Sequence, residues 1–99
     1  MKEEEVRKAL EKVMHPEINC NLVELGMIKI TEVKDDVVSI TLMLPFLDVP
    51  IKEDLINLVK ESITNLDKEI KVDIKTAEMD EKEKEKFMKL ARENWKGQG

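Results

Sequence analysis

His15, Glu17, Cys20 and Glu24 fall within ten residues of one another. All four are side chains that bind metals, and Cys20 and His15 suit a soft or borderline ion best. One thiolate cannot hold an iron–sulfur cluster, which usually takes four. Two copies of Cys20 across a symmetric dimer would supply half of that set, with exogenous thiols completing it. The commoner state of a lone cysteine is a small, buried hydrophobe. His15 is also the chain's single histidine, five residues before Cys20. A nucleophile–base dyad is conceivable on that spacing, but nothing else in the sequence supports it.

A second stretch with chemical potential is Pro45-Phe46-Leu47-Asp48-Val49-Pro50. An alternating apolar run precedes it and a run with helical spacing follows, so the period changes between its two prolines. Pro45 cannot donate to a sheet ladder and marks the strand's end. Pro50 has its φ preset for the first turn of a helix, and Asp48 is placed to accept from that turn's free amides. A helix N-terminus facing a strand end commonly receives ligands and anions, although a plain connector has the same pattern. Phe46 and Leu47 are large apolar groups in a loop. Either they fold back to plug the core or they form a patch for a partner; the plug is the expectation.

The elements that must position these two stretches can be taken in order. Val6, Ala9, Leu10 and Val13 have amphipathic helical spacing, with Glu3, Glu4 and Glu5 on the positive end of the helix dipole. Pro16 is expected to end that helix. Leu22 to Gly26 reads as one helical turn closed by Gly26 as a C-cap. A strand from about Met27 to Val33, with Ile28 and Ile30 on one face, then turns at Lys34-Asp35-Asp36. Val38, Ile40, Leu42 and Leu44 alternate with Val37, Ser39, Thr41 and Met43, giving a strand with one aliphatic face that helices must cover. Leu55, Leu58, Val59, Ser62, Ile63 and Leu66 keep helical spacing for about four turns. Ile70, Val72 and Ile74 make a third strand with one wet face. Asp80 and Glu83 stand in capping-box spacing before a last helix with an apolar stripe of Phe87, Leu90, Ala91 and Trp95. The alternating charges from Glu81 to Lys86 read as a solvated face. The order α-β-β-α-β-α implies a two-layer α+β domain, a three-stranded mixed sheet packed by helices on one face.

Composition narrows the function classes. The 99 residues suit one domain over 1–99, with 96–99 as a flexible tail or the start of a linker. A formal net charge of −5 and the lack of a Gly-x-x-Gly loop argue against a nucleic-acid module of the KH type. The three glycines allow neither nucleotide-loop pattern. No run approaches the roughly 18 apolar residues of a membrane span, and the charged start is not a signal peptide, so a cytoplasmic protein is expected. No cofactor fingerprint or convincing nucleophile–base pair points to an enzyme.

Three blocks carry a resemblance: His15-Pro16-Glu17-Ile18, then Asn21-Leu22-Val23-Glu24-Leu25-Gly26-Met27-Ile28, then a strand followed by Pro45 and Val49-Pro50 before a helix. In these the chain resembles the iron–sulfur cluster assembly domain of the PaaD/SufT-like group, or MIP-eighteen family. That domain also occurs as an N-terminal appendage on Mrp-type P-loop ATPases. The likeness covers about Val6 to Ile74, and Met79 to Trp95 resembles only a subset. It implies the same α+β fold and a role in maturing or delivering clusters, often by bridging a cluster source and an apoprotein. The family's Asp-Pro-Glu falls on His15, Pro16 and Glu17, its Leu-Gly on Leu25 and Gly26, and its Cys-Pro on Val49 and Pro50. The reactive cysteine of many members is therefore valine here, and an aspartate is His15. With Phe46 and Asp48 beside them, these positions form the expected functional loops. The resulting expectation is a cytoplasmic, non-catalytic adaptor that holds no cluster of its own and contacts assembly proteins such as a P-loop carrier ATPase. The alternative is metal or cluster binding through a Cys20-containing homodimer, with His15.

Overall fold

The computed structural model of the chain describes residues 2–34 and 36–96. Asp35 of the expected turn and residues 97–99 of the expected tail lie outside them. The element order is α1 (Glu3–Leu10), β1 (Ile28–Val33), β2 (Val37–Leu44), α2 (Lys52–Thr64), β3 (Lys71–Glu78) and α3 (Glu81–Asn94). β2 is the central strand, antiparallel to β1 and parallel to β3. The α+β class and the element order are as the periodicities imply.

Val38, Ile40, Leu42 and Leu44 are all buried, and their shared face is the floor of the core. Ile28 and Ile30 of β1 pair with Leu42 and Ile40 and so lie on that same face. Val6 and Leu10 of α1 and Leu55, Val59 and Ile63 of α2 close over it. Each such aliphatic side chain contributes roughly 1.5–3 kcal/mol by leaving water. Ala9 and Ser62 are small enough to let the two helices approach, and the Ser62 hydroxyl donates to the Ala9 carbonyl at 3.1 Å.

Several ends differ from expectation. α1 stops at Leu10, well short of Pro16, because Met14 leaves to pair with Asn21 in an isolated bridge. A tertiary pairing, not proline, ends this helix. α2 stops at Thr64, leaving Leu66 exposed beyond it. β3 runs on past Ile74 to Glu78, its length set by the ladder with β2.

α3 departs from the expectation that the helices keep to one face. Lys29 pairs with Thr41 across β1 and β2, so both lie on the face opposite Leu42. The Lys29 ammonium meets the Glu83 carboxylate of α3 at 3.3 Å. Met43 shares that second face by alternation, yet it is buried, as are Phe87 and Ala91 of α3. α3 therefore crosses the Met43 end of the second face, while Thr31, Ser39, Thr41, Asp73 and Lys75 line the open remainder. The Asp80–Glu83 capping box forms as its spacing implies, Asp80 accepting from the Glu83 amide at 2.8 Å.

Candidate functional site

The expected site residues occupy two loops with opposite characters. In the first, His15 to Cys20, the chain folds back on itself. The His15 amide donates to the Cys20 carbonyl at 3.0 Å, and the Leu22 amide to the Val13 carbonyl at 2.9 Å. His15 is only 4% exposed. Its Nδ1 accepts the Glu17 amide at 3.0 Å, which spends one ring nitrogen on holding the loop. Burial pushes its pKa below the ordinary value of 6.5, against the pull of the Glu17 carboxylate. A neutral ring that accepts at Nδ1 carries its proton on Nε2.

Cys20 is 5% exposed. Burial raises its thiol pKa, and the Glu24 and Glu93 carboxylates raise it further. Thiolate is the form that binds metal or attacks an electrophile, so this environment disfavours both. Glu24 is committed elsewhere. Its Oε1 accepts from the Asn21 side-chain amide at 2.8 Å and from the Asn21 backbone at 3.2 Å, while Asn21 Oδ1 accepts the Glu24 amide at 2.8 Å. This reciprocal pair is a capping box on the short turn after Cys20, and its Asn-x-x-Glu spacing was available in the sequence. Gly26 closes the turn at φ +73°. Its amide donates to the Val23 carbonyl at 3.0 Å and the Met27 amide to the Leu22 carbonyl at 3.0 Å, the two bonds of a Schellman ending. The four expected ligands thus serve as one buried thiol, one buried ring, one capping carboxylate and one exposed loop residue, Glu17. Among the described residues no three His, Cys, Asp or Glu side chains gather as a metal site.

α3 adds a clamp to this first loop. The Asn19 amide donates to the Asn94 carbonyl at 2.7 Å, the Lys96 amide to the Glu17 carbonyl at 3.1 Å, and Ile18 bridges Trp95. The segment that clamps this loop thus comes from the opposite end of the sequence, which spacing alone does not show.

The second loop, Pro45 to Ile51, is open. Phe46 is 49% and Leu47 50% exposed, so the expected core plug is not formed; Pro45 and the half-buried Val49 face inward in their place. Asp48 does not cap α2. The helix begins at Lys52, its N-cap is Ile51, and no side chain caps it. The Lys52 amide instead closes a backbone turn on the Val49 carbonyl at 3.1 Å, so Pro50 lies before the helix and not in its first turn. The Lys84 ammonium lies 5.2 Å from the Phe46 ring centroid and pairs with Glu78 at 2.9 Å. The charge run of α3 is thus more than a solvated face, since Glu83 and Lys84 each hold a partner.

Just after Leu25 and Gly26, the Met27 carbonyl accepts the Met43 amide at 2.7 Å, which ties their turn to the end of β2 that leads into the open loop. Glu17 is tied instead to the far end of α3, through its carbonyl. The two contacts of α3, at Lys84 and at Trp95, lie about 16 Å apart along its axis.

The sequence profile of a family described as "Iron-sulfur cluster assembly protein" matches residues 3–75, ending before α3. Among curated proteins no sequence matches the chain. Among solved structures the chain is similar to a crystal structure of a domain of unknown function, DUF59, from Bacillus anthracis. The TM-score is 0.70 at 18% identity, covering 90% of this chain and 91% of that one, a likeness of fold.

Proposed function

The chain belongs to the iron–sulfur cluster assembly protein family, and on that premise we propose that it serves cluster assembly or delivery as a non-catalytic adaptor, working through protein–protein contact. The observation that supports this reading is the half-exposed pair Phe46 and Leu47 beside Val49, where the family resemblance places a cysteine. At that position a thiolate near a helix N-terminus would be an activated ligand, whereas valine offers only contact area. Two adjacent large apolar side chains held out of the core cost solvation unless a partner covers them. In this reading the cluster is cargo held by the partners, among them a P-loop carrier ATPase, and the chain acts in the cytoplasm.

The test is anaerobic co-purification with such a carrier under reducing conditions. The expected result is a complex that Phe46→Glu/Leu47→Glu weakens and Cys20→Ala does not. Anaerobic reconstitution of the chain alone should leave it colourless. Iron held by the isolated chain and lost in Cys20→Ala would replace the adaptor with the Cys20 dimer.

A further inference from the structure

We propose that the exposed side of α3, continued by Phe46, is a docking surface for an acidic amphipathic segment of a partner protein. This deepens the adaptor reading and rests on it for the partner's role, though not for the partner's chemistry. Phe46, Leu47, Met88 and Trp95 are four of the six large apolar side chains exposed among the described residues. Lys84, Met88 and Arg92 recur at i, i+4 and i+8, one side of α3, and Trp95 follows just past the end of the helix. Lys84 over the Phe46 ring joins that side to the open loop.

The surface is open and shallow, formed by side chains of α3 and Trp95 alone. One depression lies between Lys84, Glu85, Met88, Lys89 and Arg92. A second lies between Met88, Ala91, Arg92 and Trp95. They share Met88 and Arg92 and so run together towards the clamp on the first loop.

Charge selects the occupant. The chain carries a formal −5, yet this surface has three cations against two carboxylates, Glu85 and the Glu78 that pairs with Lys84. Lys84 is already paired with Glu78, which leaves Lys89 and Arg92 to meet carboxylates, Arg92 in bidentate geometry. Met88 supplies an adaptable apolar floor, and Trp95 a large anchor of the kind that dominates interfaces. Aliphatic groups flanked by Asp or Glu complement that order. Two free cations are too few for a nucleic-acid backbone, whose binding scales with the phosphates neutralised. The chain's own acidic helix α1 cannot serve, because its apolar residues Val6 and Leu10 are in the core.

Trp95 is the sole tryptophan and reports directly on occupancy. The probe is a Trp-free synthetic helix with leucines along one face and glutamates beside them, titrated into the full chain. The expected result is a saturable shift of Trp95 emission to shorter wavelength, weakened by added salt. Lys89→Gln/Arg92→Gln should bind about tenfold more weakly, and Leu66→Glu, on the α1–α2 side, should bind unchanged. No saturable shift, an equal shift with lysines replacing the glutamates, or an equal response to an RNA oligomer would overturn the proposal. So would a shift that grows with protein concentration before peptide is added, which would make the occupant a second copy. Because the probe is not an assembly protein, binding here with no carrier complex would remove the adaptor reading and keep the docking surface.

Discussion

The loop at His15–Cys20 and the loop at Pro45–Ile51 invert what their compositions suggest. The first has the side chains capable of chemistry and buries or hydrogen-bonds most of them. The second has no nucleophile or soft ligand and holds Phe46 and Leu47 in water. Reactive residue types do not make a reactive site when the fold uses them as structure. His15 shows this plainly, its Nδ1 acting as a backbone acceptor and its burial disfavouring charge. The difference follows from what each loop is tied to. Backbone bonds from α3 clamp the first, while the second meets α3 through a lysine over an aromatic ring, worth about 0.5–1 kcal/mol at an exposed site.

The largest effect should appear when the thiol is moved from one loop to the other. Native Cys20 should alkylate slowly and the denatured chain quickly. In a Cys20→Ala/Val49→Cys variant the thiol should react far faster in the native state, on the order of a hundredfold. Equal rates would erase the contrast between the loops. Ending the chain after Glu93 removes the clamp residues Asn94, Trp95 and Lys96, and should speed alkylation of Cys20 without unfolding the sheet. Cys20 still protected in that form would mean that the core alone buries it.

Stability should divide the loops in the same way. Ile18→Ala, in the clamped loop, should cost about 2–4 kcal/mol in denaturant unfolding. Phe46→Ala should cost under about 1 kcal/mol, since it removes little buried area. A large loss at Phe46 would restore the core plug. Gly26→Ala has free space around its new methyl group but must hold φ +73°. It should lose about 1–2 kcal/mol from backbone strain alone.

The smallest effect concerns pH. The folded chain holds His15 below the ordinary value of 6.5, so the unfolded chain takes up the proton first. The contribution of neutral His15 is therefore complete above 6.5 and declines as pH falls through and below that value. His15→Asn, which keeps an acceptor near the Nδ1 position, should flatten this part of the stability profile. An unchanged slope would show that the ring is not held neutral.

Much of the scaffold was legible because its signals are local. The alternation of Val38 to Leu44, the Gly26 ending and the Asp80–Glu83 box each follow from a few neighbouring residues and one period. The Asn21–Glu24 box carries the same signal, and it shows that a possible metal ligand was already committed to a turn. The exposed Met88 and Arg92 of α3 gave no comparable sign, since a charged helix with a stray methionine reads as ordinary surface.

From the order of its residues alone, this chain determined its strands, its helices, its aliphatic floor and its family. Those depend on dihedral preferences and on apolar periodicity, which act within a few residues. Only the tertiary structure decided that Cys20 is shut away, that Phe46 stands out, and that α3 crosses to the second face and clamps a loop some seventy-five residues earlier in the chain. Burial and charge pairing between distant segments depend on which surfaces the packing brings together, and no single stretch of sequence encodes that.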